Sequence, residues 1–389
     1  MIPVAEALAR VLDLIRPVDT ETVPLRQASG RMLRTAARAT RAQPPFAASS
    51  MDGYAVAEPP RPGQSLQVVG EAAAGHAFDG RVAPGEAVRI FTGAPVPEGA
   101  IAVVLQEDVT RTGDRITLGE GVRDETNIRP AGGDFGAGFT LDPTRLLRTV
   151  DLALLAAMNV AEVTVSRRPS VALIATGDEL IVPGEVPRPD QIVASNIYAL
   201  AAMIEAAGGV ARILPIARDN QDALRAVLDL AKGADLVVTI GGASVGDHDL
   251  VAQVAGTMGL ERSFYKIAMR PGKPLMAGRI FGVPMLGLPG NPVSAIVCGH
   301  LFVLPALRAL TGDPAPEPKL SEGRLAVDVG QNGPRAHYMR ASLDGGGITP
   351  FPEQDSSLLT VLARADVLLL RPPHDGPQSA GSVAQYLAL

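Results

Sequence analysis

After Pro169 the chain alternates short apolar runs with helix-like stretches, and this alternation limits the fold more than any other feature. Strand-like runs occur at 171–175, 210–216, 236–240, 275–280 and 283–288, with another near 263–268. Helical stretches occupy 196–207, 221–231, 247–258 and 292–310. Such a pattern predicts a doubly wound, three-layer α/β domain over 168–312, a mostly parallel sheet with helices on both faces. Ligands of these sheets bind at the carboxyl ends of the strands. Two glycine-bearing loops fall there: Gly241-Gly242-Ala243-Ser244-Val245-Gly246-Asp247-His248-Asp249, and Leu288-Pro289-Gly290-Asn291-Pro292. Backbone N–H groups in loops of this kind suit phosphate.

The rest of the chain is less periodic. Val4, Leu8, Val11, Leu12 and Ile15 form a helical stripe over 3–16, whereas 18–40 has no long period. Short β-like runs at 65–69, 87–91, 102–106 and 115–118 lie between Pro and Gly turns, so an inserted β-rich domain is expected over 53–131. Residues 149–158 read as a helix. A proline-rich linker spans 311–318, and runs at 324–329, 337–343, 366–370 and 383–389 predict a small β-barrel or sandwich over 316–389. Residues 1–52 and 132–167 are left as an N-terminal helical and extended domain interrupted by the insertion.

The formal charge of −6 argues against general nucleic-acid binding. The one cysteine, Cys298, excludes an intrachain disulfide, fits a reducing compartment and sits in an apolar run as a core residue. Met1-Ile2-Pro3-Val4-Ala5-Glu6 lacks the basic start of a signal peptide, and His300 and Pro305 interrupt the apolar run after Pro292 before it reaches the length of a membrane span. A cytoplasmic protein with no membrane partner is expected.

Charge is uneven within that balance. Only four lysines occur, and 262–279 holds five cations with no carboxylate. Arg270-Pro271-Gly272-Lys273-Pro274 is stiff and turn-rich, so Lys266, Arg270 and Lys273 form a candidate oxyanion site, or else a charged strand edge. Asp178 and Glu179 follow a strand and suit Mg²⁺, which takes one or two carboxylates beside phosphate oxygens; a turn with two solvated acids has the same pattern. Ser244, Asp247 and Asp249 add donors and acids to the first glycine loop, where a plain βα turn is the alternative. Asp52 at an Asp-Gly turn and Thr92 beside Gly93 are weaker candidates. The five histidines show no ligand spacing.

Taken together, PPFAASSMDGYAV (44–56), RIFTGAPVP (89–97), NIRPAGGDFGAG (127–138), ATGDEL (175–180), SNIYAL (195–200), GGASVGDHD (241–249), YKIAMRPGKP (265–274) and LPGNPVSA (288–295) resemble the molybdopterin molybdenumtransferase (MoeA) family. The resemblance implies four domains and an elongated homodimer with sites between subunits, with 1–52 and 132–167 as the linker and dimer domain. It implies molybdenum insertion into adenylylated molybdopterin, using molybdate and Mg²⁺ and releasing AMP. Carried over by motif, Asp52, Thr92 and Asp134 would come from one subunit. Glu179, Asp219, Asp249, Lys266, Arg270 and Lys273 would line the other subunit's α/β domain, with Glu179 and Asp249 on the metal. Gly241, Gly242, Ser244, Gly246, Pro289, Pro292 and Ser356 would contact the pterin substrate. Three positions depart from the family pattern: Arg270 stands for a frequent Lys, Gly133 for a common Glu and Asp355 for a usual Gly. A molybdopterin adenylyltransferase and a non-catalytic, gephyrin-like scaffold are the competing expectations.

Overall fold

The computed structural model describes residues 1–242 and 250–389. Its central sheet runs in the order Val210–Ile213, Ser170–Ala175, Leu236–Ile240, Val283–Leu288, Met276–Ile280, Glu261–Phe264. The first four strands run parallel, and Met276–Ile280 is antiparallel to both of its neighbours. Leu236–Ile240 is buried at all five positions, as a strand covered on both faces must be. Val171, Leu173, Val238 and Leu286 face helices Asn196–Ala206 and Pro292–Cys298. Ala172, Ile174, Val237 and Met285 face Gln221–Leu230 and Leu250–Thr257. Each of the Val, Leu, Ile and Met side chains among them contributes roughly 1.5–3 kcal/mol when fully buried.

Two expectations about this sheet change. The strand placed near 263–268 lies at Glu261–Phe264, a polar edge strand. Lys266–Ala268 instead flanks Ile2, whose N–H donates to Lys266 O and whose carbonyl accepts Ala268 N–H. Met269–Arg270 then leaves the α/β unit and pairs in parallel with Ala336–His337 of the C-terminal sheet. The predicted helix 247–258 is seen as Leu250–Thr257; positions 247–249 lie outside the described residues.

The run after Pro292 is continuous through Thr311, with a π-helical stretch at Gly299–Val303. At 20 residues it is long and apolar enough to cross a membrane, contrary to the expectation from His300 and Pro305, and 72% of its apolar window is buried inside the molecule. Cys298 lies within it, fully buried, and burial pushes its thiol pKa up.

The N-terminal region, which showed no period over 18–40, builds a four-stranded sheet from distant pieces: Thr20–Pro24, Glu162–Ser166, Met32–Leu33 and Arg145–Leu146. A separate six-stranded sheet holds Gly53–Val56, Ser65–Ala72, Glu86–Ile90, Ala102–Leu105, Val109–Thr112 and Arg115–Leu118. In the C-terminal sheet, Ser321–Arg324, Val383–Ala388, Val367–Arg371, Ala336–Asp344 and Gly347–Pro350 pair in that order. The run expected at 324–329 is thus shifted to Ser321–Arg324, and Gly347–Pro350 is an added strand. A bridge from Leu325 to Ile348 curls the sheet back on itself. There Gly347, at φ +117°, has no room for a Cβ, which would sit 2.5 Å from the Arg324 carbonyl oxygen.

Candidate active site

The carboxyl ends of Ser170–Ala175, Leu236–Ile240 and Val283–Leu288 open into a cavity of about 660 Å³. Glu179, Asp219, Gly241, Gly242, Pro289 and Pro292 line it, with Ile192, Val193 and Ile197 on an apolar wall. Backbones approach closely at the glycines. A Cβ on Gly241, at φ +90°, would lie 2.8 Å from Thr176 O, and one on Gly242, at φ +64°, 2.4 Å from Val251 Cγ2. Only glycine tolerates both the dihedral and the contact.

Two turns carry the acids. Asp219 N–H donates to Asp178 Oδ1 (3.0 Å), and Asp178 N–H donates weakly to Asp219 Oδ2 (3.4 Å), tying one loop to the other. Asp178, one of two acids that suit Mg²⁺ or a solvated turn by sequence, ties the neighbouring loop, and among the described residues Glu179 and Asp219 are the carboxylates that line the cavity. Among the described residues no three His, Cys, Asp or Glu side chains form a metal cluster. Mg²⁺ does not need one: it keeps most of its waters and takes one or two carboxylates, so Glu179 and Asp219 fit that ion.

A second cavity, about 270 Å³, adjoins the first and shares Pro274 and Asn291 with it. Arg270, Lys273, Arg335, Gln354, Asp355 and Ser356 line it. Beneath its wall lies Arg340, 0% exposed, whose Nη2 donates to Glu353 O and Asp355 O (both 3.2 Å) while Nε and Nη1 have no partner. Burial first, then the charge of Arg270, lowers the Arg340 pKa. Asp355 is held low chiefly by hydrogen bonds from Ser357, with Arg340 and Arg270 adding to the effect. Cations thus crowd a small polar cleft whose one carboxylate among the described residues, Asp355, is already engaged by Ser357 N and Oγ.

The remaining expected residues separate. Asp52 Oδ1 accepts from Thr92 N (2.7 Å) and Thr92 Oγ1 (2.8 Å), and these bonds lower the Asp52 pKa. This pair and exposed Asp134 line neither cavity. Nor does Lys266, whose ammonium stands 5.2 Å from the Tyr265 ring centroid. Ser244, Gly246 and Asp249, with Asp247 and His248, lie outside the described residues. Sequence reasoning missed Asn291, Arg335 and Arg340. Asn291 had a signal, a cap residue before a proline at the first helical position. The two arginines sit at or just before a strand and carried none.

Family models match nearly the whole chain. "MoeA N-terminal region (domain I and II)" covers 2–159, "Probable molybdopterin binding domain" 172–309 and "MoeA C-terminal region (domain IV)" 322–389. A molybdopterin molybdenumtransferase of Nostoc sp. is 38% identical over 340 residues, covering 84% of this chain and 77% of that protein. The chain belongs to the molybdopterin molybdenumtransferase (MoeA) family. Molybdopterin molybdenumtransferase 2 of Mycobacterium tuberculosis is 36% identical over 396 residues, covering 97% and 96%. A crystal structure of a molybdopterin biosynthesis MoeA protein from Pyrococcus horikoshii OT3 superposes with a TM-score of 0.86 at 28% identity, with all of both chains covered. The family's multidomain architecture therefore extends over this entire chain.

Proposed function

We propose that this protein inserts molybdenum from molybdate into adenylylated molybdopterin and releases AMP, in the cytoplasm and as a homodimer. Transfer of molybdenum to molybdopterin follows from family membership; the adenylylated substrate, Mg²⁺, the dimer and the compartment are the proposal's own. The observation that carries it is the adjoining pair of cavities, one edged by carboxylates and the other by cations, meeting at Pro274 and Asn291. Likeness at both the N-terminal and C-terminal regions favours this reading over an adenylyltransferase or a scaffold.

Each cavity has a task. The larger one takes the pterin and its phosphoanhydride, with the glycine loop against phosphate and Ile192, Val193 and Ile197 against the ring. Glu179 and Asp219 hold Mg²⁺, which when bound neutralises phosphoanhydride charge. In the smaller cavity Lys273 and Arg270 attract molybdate, a tetrahedral dianion that binds through charge-assisted donors. Buried Arg340 adds a positive field behind them. Ser356 and Asn291 complete the rim and orient the oxyanion toward the dithiolene sulfurs, which replace its oxygens. The chain chiefly supplies proximity.

Purified protein mixed with adenylylated molybdopterin, Mg²⁺ and molybdate should release AMP and yield cofactor that activates a molybdenum-free acceptor enzyme. Lys273→Ala should raise the half-saturating molybdate concentration at unchanged fold. ATP turnover in the presence of molybdopterin would instead favour the adenylyltransferase, and absence of any AMP would sink the proposal.

A further inference from the structure

Arg218 precedes Asp219 at the cavity edge but does not line the cavity itself. Its guanidinium is turned toward the neighbouring loop. Nη1 donates to Asp178 O (2.9 Å) and Leu180 O (3.0 Å), with a longer contact to Gly177 O (3.4 Å). Three carbonyls from four consecutive residues converge on one nitrogen, so the turn is wrapped around the arginine. The enclosed residue that does not bond to it is Glu179. Its carbonyl accepts Ile192 N–H (2.8 Å), and its carboxylate folds back over Gly177, where a Cβ would lie 2.4 Å from Oε2.

The turn's other supports are mainly backbone bonds: Gly177 N–H donates to Ala217 O (3.1 Å) and Leu180 N–H to Gly177 O (3.5 Å). Gly177 adopts φ +148°, open mainly to glycine, and both Asp178 and Glu179 are exposed. Exposed turns held by few contacts open easily. A charged donor bridging several carbonyls of the turn adds to these bonds and holds its exposed tip. Asp178 and Asp219, hydrogen-bonded across the same gap, make the Arg218–Asp219 segment and the Gly177–Leu180 turn one unit.

We propose that Arg218 is a positioning residue: through these carbonyls it fixes the direction of the Glu179 carboxylate into the larger cavity. This rests on the reading of Glu179 and Asp219 as the carboxylates that serve Mg²⁺ and the substrate phosphoanhydride. Arg218 itself touches neither. Residues that orient a ligating carboxylate typically change metal affinity or activity about 10–100-fold when removed.

The test compares Arg218→Ala, Arg218→Lys and a control, Arg212→Ala. Arg212 also clamps backbone carbonyls, those of Leu230 and Lys232, but away from the cavity. Arg218→Ala should speed hydrogen exchange across 177–193, the Ile192 amide included, while leaving 236–240 protected. It should raise the half-saturating Mg²⁺ concentration and lower kcat, each about 10–100-fold, with the molybdate KM little changed. Arg218→Lys keeps a cationic donor and should recover part of both effects; Arg212→Ala should show neither. Unchanged exchange and unchanged Mg²⁺ dependence in Arg218→Ala would overturn the assignment. So would lost activity without faster exchange, which would make Arg218 a direct ligand contact. An inactive wild type counts against the molybdenumtransferase reading; an active wild type with an indifferent Arg218→Ala counts against Arg218 alone.

Discussion

His337 faces Arg371 across two strands of the C-terminal sheet, 7% exposed, with Nε2 lacking a partner. Burial first, then the charges of Arg270, Arg340, Arg335 and Arg371, pushes its pKa down to about 4. Above the ordinary value near 6.5 the ring is neutral whether the chain is folded or not. Between about 6.5 and 4 the unfolded chain takes up a proton that the folded one refuses, so stability is lost as pH falls through that window. From pH 7 to pH 5 the loss from this one ring is about 2 kcal/mol, at 1.36 kcal/mol per pKa unit. Urea denaturation of the wild type and His337→Gln at both pH values measures it: the wild type should lose about 2 kcal/mol more than the variant. Equal losses would mean the ring is protonated in the fold. The same four arginines give the residue a second meaning, because a cluster of cations that suppresses a histidine charge is also one that welcomes an anion.

Among the elements, the helix that begins at Pro292 holds the two cavities together. Asn291 precedes it, and its Nδ2 donates to Ser356 Oγ (3.0 Å) while Val293 N–H donates to Ser356 O (3.1 Å). Asn196 Nδ2 secures the adjoining Gly290 carbonyl (2.7 Å). The helix start is thereby bonded to the C-terminal segment that forms one wall of the cationic cleft. Asn291→Ala should cost about 1 kcal/mol of stability, the net worth of one hydrogen bond. The activity loss should be larger, about tenfold or more, since small misplacements of reacting groups are expensive. Thermal melting beside steady-state kinetics separates the two, and a variant that loses stability and activity in proportion would refute a special role for this joint. Much of the α/β unit was legible because its strands are continuous apolar runs, as in Leu236–Ile240. Glu261–Phe264 was not, because an edge strand need not be apolar, and the Lys266–Arg270 segment is held by Ile2 and by Ala336–His337, partners remote in sequence. Glu179, Arg270 and Lys273 were reachable through motifs, and Asp219 and Ser356 only through the family resemblance. Arg340 was hidden because a strand position alone does not tell which alternating face meets another domain.

Over the whole molecule, the α/β unit is joined firmly on both sides. Val18 N–H donates to Leu310 O, Ser166 Oγ to Thr311 O, and Arg167 forms a bidentate pair with Asp235. Tyr338 and Leu368 of the C-terminal sheet belong to the same core as Met269 and Val293. Against that rigid frame, the hydrogen-bonded Asp52–Thr92 pair, outside both cavities, raises the question of what it serves. In the proposed dimer it serves the partner's cavities, and each site then draws Asp52 from one subunit and Lys273 from the other. Asp52→Ala, and Lys273→Ala at molybdate well below its raised half-saturation, should each have little activity as pure homodimers. In a mixed dimer one site carries both defects and the other carries none. Random pairing of equal amounts makes half the dimers mixed, so co-expression or co-refolding should restore about a quarter of wild-type activity, as two-fold symmetry requires. Simple mixing of the preformed homodimers restores less if subunits exchange slowly, and activity should climb toward that quarter with time. A reassorted mixture with no activity would place Asp52 in the same subunit's chemistry, or in none, and would remove the reason for a site shared between chains.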